Sequence, residues 1–295
     1  MENVQAPKKR LMYREHESGE IVMRWPGVLA AIGIYIVYTL GIPLLSQFIM
    51  ALSYSYSNPG ATNDELVEYL GSNMVTLNLI TYVATAVIIL LVYGPFLWAS
   101  LKEFFGRMTL SRGLMVIWMP IVMIPLNMIG NVIVSVITAM IAGNASGENQ
   151  QAVVGMVSEV PMAMVFLTVF MAPFVEEIIF RAAWFRPLWF KSKPAAVILT
   201  IILFGLHHVW SGVVSGDLMQ LVFIISYIPS TLVLVIAHCS FKNIYGPMIL
   251  HMAINGFSMF VLVILQPMVE AMAGPAAQQS VGLVTELAAR LAGAM

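Results

Sequence analysis

Charged side chains are scarce in this sequence. Asp, Glu, Lys and Arg make up 10% of its 295 residues, whereas a soluble domain carries roughly 25%. Because 60% of the residues are hydrophobic, we predict an integral membrane protein. The chain also lacks a long basic run that could neutralise the phosphates of a nucleic acid, so we expect no nucleic-acid partner.

Cysteine is almost absent as well. The single Cys239 excludes an internal disulfide and any metal site built from cysteines. The sequence before Trp25 is polar and contains no apolar stretch long enough to form a signal-peptide core. We therefore predict a short soluble arm at the N-terminus.

Seven apolar stretches are each near or above the roughly 17–25 residues that a spanning helix needs. We predict an all-α polytopic bundle with spans at about Pro26–Leu52, Met74–Ser100, Leu114–Ile141, Pro161–Phe185, Pro194–Trp210, Leu218–His238 and Ile244–Leu265. Residues 1–25 then form a polar cytoplasmic arm, residues 26–266 form the membrane domain with a catalytic core at about 161–266, and residues 267–295 form a tail. Leucines recur in the tail at helical spacing, which predicts an interfacial amphipathic helix; an eighth crossing is the alternative.

The distribution of basic residues predicts which side of the membrane each loop faces. Lys and Arg are retained in cytoplasmic loops. In this chain they occupy the N-terminal arm and the loops after the second, fourth and sixth spans, while the intervening loops contain carboxylates and no Lys or Arg. Seven crossings with a cytoplasmic N-terminus account for this pattern.

Three charged residues interrupt the fourth apolar span. They are Glu176, Glu177 and Arg181. An ionised side chain at a membrane-helix centre costs roughly 2.5–3.5 kcal/mol, so a chain that keeps three of them there is expected to use them. Glu177 and Arg181 are four residues apart and can pair along one face. Glu176 is rotated by about 100°, which leaves it as the working carboxylate.

Polar residues on two further spans are predicted to lie at a similar depth. The helical rise puts Glu176 roughly 15 Å, His208 roughly 21 Å, His251 roughly 10 Å and Asn255 roughly 17 Å from the cytoplasmic face. His251 and Asn255 are four apart and share a helix face. His207 is adjacent to His208 and therefore cannot face the same point.

These residues occur in three motifs, Glu176-Glu177-x-x-x-Arg181, Phe204-x-x-x-His208 and His251-x-x-x-Asn255. Their order resembles the signature of the CPBP family, also called ABI, of intramembrane proteases. That family contains CAAX prenyl endopeptidases and bacterial proteins that process bacteriocins or confer immunity to them. The resemblance covers roughly residues 171–257.

The resemblance implies a peptidase in which Glu176, assisted by His208, activates a water molecule, while His251 and Asn255 stabilise the oxyanion and Glu177 and Arg181 support the site. It favours a glutamate mechanism without a metal cofactor. Zinc is the alternative, with Glu176, His208 and His251 as its ligands, although no His-Glu-x-x-His pair is present and Asn is a poor zinc ligand.

Two other classes of protein use buried charges. A proton-coupled transporter would use the same Glu and His side chains as a relay, and a non-catalytic immunity or scaffold protein would keep the fold without turnover. We expect the peptidase, acting on a prenylated, leader or other membrane-associated peptide in a bacterial plasma membrane. The sequence does not choose among these substrates or indicate an oligomeric state.

Overall fold

The computed structural model describes residues 11–143 and 146–272 and confirms a polytopic all-α membrane bundle. Seven of its helices are long and apolar enough to cross a membrane. Each coincides with one predicted span, and most extend it by about one helical turn. The predicted tail helix lies almost wholly outside the described residues, so it stays a prediction together with the eighth crossing.

Nine helices and one β-hairpin form the described part of the chain. The helices are α1 (Trp25–Ser57), α2 (Asn63–Ser72), α3 (Met74–Gly106), α4 (Leu110–Ala142), α5 (Glu148–Glu159), α6 (Pro161–Trp189), α7 (Lys193–Val214), α8 (Leu218–Phe241) and α9 (Tyr245–Val269). The hairpin consists of β1 (Tyr13–Glu15) and β2 (Ile21–Met23), which pair antiparallel.

The hairpin packs onto the bundle, which the predicted polar arm did not anticipate. Tyr13 and Met23 are buried, and the Tyr13 ring lies 6.0 Å from that of Phe96 in α3. Glu20 is buried too and pairs with Arg186 near the end of α6. The hairpin therefore belongs to the folded core.

Two short helices occupy connections that the sequence suggested were loops. Helix α2 begins with a capping box, in which the Thr62 side chain accepts from the Glu65 backbone and the Glu65 carboxylate accepts from the Thr62 backbone, satisfying two exposed N–H groups. Helix α5 buries Val153 and Val157. Both helices lie on the side that the charge distribution predicts to be extracytoplasmic.

The spans contain wider, π-helical turns at Val37–Gly41, Leu167–Met171, Glu177–Phe185 and Val261–Leu265. Each of these stretches ends two residues before a proline. A proline ring clashes with the carbonyl four residues earlier and supplies no N–H, and a wider turn relieves both problems. The prolines thus explain the irregular segments, two of which lie in α6.

Helices α6 and α8 run through the centre of the bundle, since 61% of the most apolar window of each is buried. Helix α7 approaches α8 closely at Gly205, where a Cβ atom would come within 2.8–3.2 Å of Ile224. The first part of α8, Leu218–Tyr227, is a 3₁₀-helix. The motif-bearing helices α6, α7 and α9 pack against one another in this core.

Candidate active site

Glu177 links two helices at the centre of the site. Its Oε1 atom lies 2.9 Å from Nδ1 of His251 in α9 and 3.2 Å from Nη1 of Arg181. All three residues are at most 1% exposed. The sequence predicted the pairing with Arg181 but missed the hydrogen bond to His251, because the relative rotation of two helices is not encoded in the spacing within either.

Phe204 explains the spacing of the second motif. Its ring lies beneath the Arg181 guanidinium, with 4.4 Å between the guanidinium carbon and the ring centroid, a cation–π contact that is strong in a desolvated setting. Its backbone carbonyl accepts a hydrogen bond from Nδ1 of His208 at 2.7 Å. One residue thus stabilises the buried cation and orients the histidine one turn later.

Glu176 is fully buried and points away from the Glu177 network. Its Oε1 atom lies 3.4 Å from the hydroxyl of Tyr82 in α3. Its Oε2 atom lies 4.0 Å from Nε2 of His251, too far for a hydrogen bond, and has no hydrogen-bond partner among the described residues. The two adjacent glutamates therefore face different partners, as their rotation around the helix predicted.

The two motif histidines are oriented in the same way. In both His208 and His251 the Nδ1 atom is engaged, by a carbonyl in one case and by a carboxylate in the other. Both partners accept, so Nδ1 carries a proton in each ring; Nε2 accepts where the ring is neutral and donates where both nitrogens are protonated. Neither Nε2 atom has a hydrogen-bond partner in the part of the chain that is described.

The sequence left a zinc site as the alternative to a mechanism without a metal. Within residues 11–143 and 146–272, no group of three His, Cys, Asp or Glu side chains is arranged to hold one. The set Glu176, His208 and His251 therefore does not fit zinc in the arrangement seen.

Asn255 is anchored to α6 by the wider turn there. Its Nδ2 atom donates to the Thr168 carbonyl at 2.7 Å, and Thr168 lies within the π-helical stretch Leu167–Met171. Because that partner can only accept, the amide orientation is defined: Oδ1 faces the other way, and one N–H of the amide remains for a further acceptor.

His207 faces away from the other histidines, as its position next to His208 predicted. Its Nε2 atom lies 3.3 Å from the Tyr38 hydroxyl and its Nδ1 atom 3.5 Å from the Tyr35 hydroxyl. The Tyr38 ring in turn packs 5.4 Å from that of Tyr82. A chain of aromatic side chains from α1 and α3 thus reaches Glu176.

Sequence reasoning missed this contribution from the N-terminal half. Tyr82 and Tyr38 carry no motif, and tyrosine is common in membrane helices. The one available signal was depth, because interfacial tyrosines cluster at span ends whereas Tyr38 lies well inside its span. Their convergence on Glu176 depends on packing between α1, α3 and α6.

A cavity of about 240 Å³ leads to these groups. It is lined by Tyr38 and Pro43 of α1, Tyr82 of α3 and His208 and Ser211 of α7, among others. A smaller cavity of about 70 Å³ shares Tyr82 and continues to Thr168. The larger cavity lies between the helices of the half that is predicted to face away from the cytoplasm.

Together the fold and the geometry define a polytopic helical membrane protein with a buried carboxylate–histidine centre beside a cavity. Residues 158–257 match the family model described as Type II CAAX prenyl endopeptidase Rce1-like, which confirms the predicted resemblance over about a third of the chain. At the level of that family, the match supports a CAAX-type intramembrane endopeptidase, a peptide hydrolase. Searches of curated proteins and of solved structures found no match.

Proposed function

We propose that this protein hydrolyses a peptide bond of a membrane-associated substrate, with Glu176 activating the attacking water. The observation that carries the proposal is that three polar atoms of the motif residues are buried without a hydrogen-bond partner among the described residues: Oε2 of Glu176 and Nε2 of His208 and of His251. Buried polar atoms are nearly always hydrogen-bonded. Such atoms on α6, α7 and α9 are suited to bind a water molecule and a substrate amide.

In this mechanism Glu176 takes a proton from the water as its oxygen attacks the scissile carbonyl carbon. The same carboxyl group then gives that proton to the departing amine, so Glu176 returns to its initial protonation state. His208 accepts a hydrogen bond at Nε2 from the second O–H group of the water and orients the water, because the Phe204 carbonyl holds the ring in the matching tautomer. Tyr82 holds the other oxygen of Glu176.

The negative charge of the tetrahedral intermediate needs hydrogen-bond donors. Asn255 supplies the amide N–H that is not bound to Thr168. His251 donates from Nε2 when both its nitrogens are protonated, and the Glu177 carboxylate at 2.9 Å stabilises that imidazolium. Removal of one such donor costs about 2.7–4 kcal/mol of transition-state stabilisation.

The cavity supports a substrate that approaches through the membrane. Its lining combines aromatic and apolar side chains from α1 with polar groups near His208, as small-substrate and peptide sites commonly do. We propose prenylated or leader-type peptides as the substrate class, since both bring an apolar segment and a scissile bond into the bilayer.

The test is a cleavage assay with purified protein in detergent and a library of prenylated, leader and transmembrane peptides. Glu176→Gln and His208→Asn should lose turnover while keeping the fold. His238→Asn is the matched control, because His238 is equally buried but packs against Phe185 away from the site. Normal cleavage by Glu176→Gln, or equal losses in all three variants, would refute the assignment.

A further inference from the structure

A second, larger cavity lies at the other end of α6. It has a volume of about 460 Å³ and is bounded by the hairpin, the start of α1 and the end of α6. Phe190, which lines it, follows Glu176 by 14 residues in the sequence, which is roughly 20 Å along a helix. The cavity is therefore separate from the site proposed for peptide hydrolysis.

Three cationic side chains line this cavity: Arg14, Arg24 and Lys191. No Asp or Glu is among the described residues that line it. Glu20, the buried carboxylate of the hairpin, is paired with Arg186 and does not line the cavity. The cavity consequently attracts an anion, and two guanidinium groups favour one with the geometry of a phosphate.

The position of the cavity matches a membrane boundary. Trp25 begins α1 and is 60% exposed, as tryptophans at the headgroup level are. The Lys191 ammonium lies 4.5 Å from the centre of the Trp25 ring, so a cation is fixed at the same level. Below it, α1 presents the exposed apolar side chains Leu29, Ile32 and Ile36.

We propose that this cavity binds the headgroup of an anionic phospholipid. Arg14, Arg24 and Lys191 contact the phosphate, and the acyl chains lie along the exposed apolar face of α1. Basic pockets between membrane helices recognise lipid headgroups in this way. The bound lipid joins the hairpin to α1 and α6, so it supports the segment that closes this end of the bundle.

Native mass spectrometry of the full chain released from mixed micelles tests the proposal. With equal amounts of phosphatidylglycerol and phosphatidylcholine, we expect one retained phosphatidylglycerol. Lys191→Gln should weaken that binding roughly fivefold, and the triple variant Arg14→Gln/Arg24→Gln/Lys191→Gln roughly 100-fold. A thermal melt of each variant verifies that it is folded.

Lys102→Gln is the matched control. Lys102 is also an exposed lysine above a tryptophan ring, 5.1 Å from the centre of Trp98, but it does not line the cavity. It should bind phosphatidylglycerol like the wild type. Equal retention of both lipids, or undiminished phosphatidylglycerol binding in the folded triple variant, would overturn the proposal.

Competition with soluble anions tests whether the cavity binds a lipid or a free phosphate. Inorganic phosphate and glycerol phosphate share the chemistry of the headgroup but lack acyl chains. We expect neither to displace the lipid at millimolar concentration. Displacement by micromolar phosphate would overturn the lipid assignment, since it would mean that the cavity takes its anion from the aqueous phase.

Discussion

Removing the Arg181 cation should be among the most damaging single changes in this protein. Arg181 and Glu177 are both 0% exposed and their charged atoms lie 3.2 Å apart. Removing one partner of a buried ion pair leaves an uncompensated charge, which costs about 3–5 kcal/mol of stability. For Arg181→Met we therefore expect a melting temperature roughly 10 °C below that of the wild type.

The single cysteine makes this measurement direct. Cys239 is half-buried and is the only thiol in the chain, so a thiol-reactive fluorophore reports its exposure as the bundle opens on heating. A matched control is Arg107→Met. Arg107 makes the same type of pair with Glu103 at 3.2 Å, but its side chain is 37% exposed, so its loss should cost about 1 kcal/mol or less.

A double variant separates charge from packing. In Arg181→Met/Glu177→Gln the Glu177 charge is removed together with its partner, and the glutamine still offers an acceptor to Nδ1 of His251. We expect the double variant to regain more than half of the stability lost in Arg181→Met, a coupling that a double-mutant cycle measures. A double variant as unstable as the single one, or an Arg181→Met melt equal to that of the wild type, would refute the reasoning.

Two further predictions concern contacts that the motifs do not include. Tyr82→Phe removes the hydroxyl that holds the proposed catalytic carboxylate and should lower kcat roughly tenfold with KM unchanged. The control is Tyr93→Phe, which should leave kcat unchanged because the Tyr93 hydroxyl bonds only a backbone carbonyl. Equal kcat values in the two variants would contradict this prediction. Gly205→Ala places a Cβ against Ile224 and should destabilise by about 1–3 kcal/mol. Gly94→Ala should not destabilise the protein, because a Cβ at Gly94 meets no atom within 4 Å. Equal melting temperatures of the two alanine variants would contradict the close approach of α7 and α8.

The spans were predictable because membrane helices impose a strong pattern on the sequence. About 20 apolar residues are needed for each crossing, and few alternatives satisfy that length. The motif residues were conspicuous for the same reason, since Glu176, Glu177 and Arg181 carry charge where charge is costly. Composition and position alone thus indicated a polytopic membrane protein and these three candidate residues.

The partners of those residues were not predictable from spacing. That His251 bonds Glu177 through Nδ1 depends on how α9 is rotated against α6, which no pattern within one helix encodes. The anchoring of Asn255 by Thr168 depends on a π-helical turn, although the proline that follows this turn was a local signal. The hairpin was hidden because strands of three residues are too short to show an alternating pattern.

The most direct test of the central claim is peptide cleavage by the wild type and by Glu176→Gln, each with and without a strong chelator. We predict that the wild type cleaves at the same rate in both conditions and that Glu176→Gln cleaves in neither. Cleavage by Glu176→Gln at the wild-type rate would contradict the role of this carboxylate. Loss of wild-type activity in the chelator would contradict a mechanism without a metal and favour the zinc alternative.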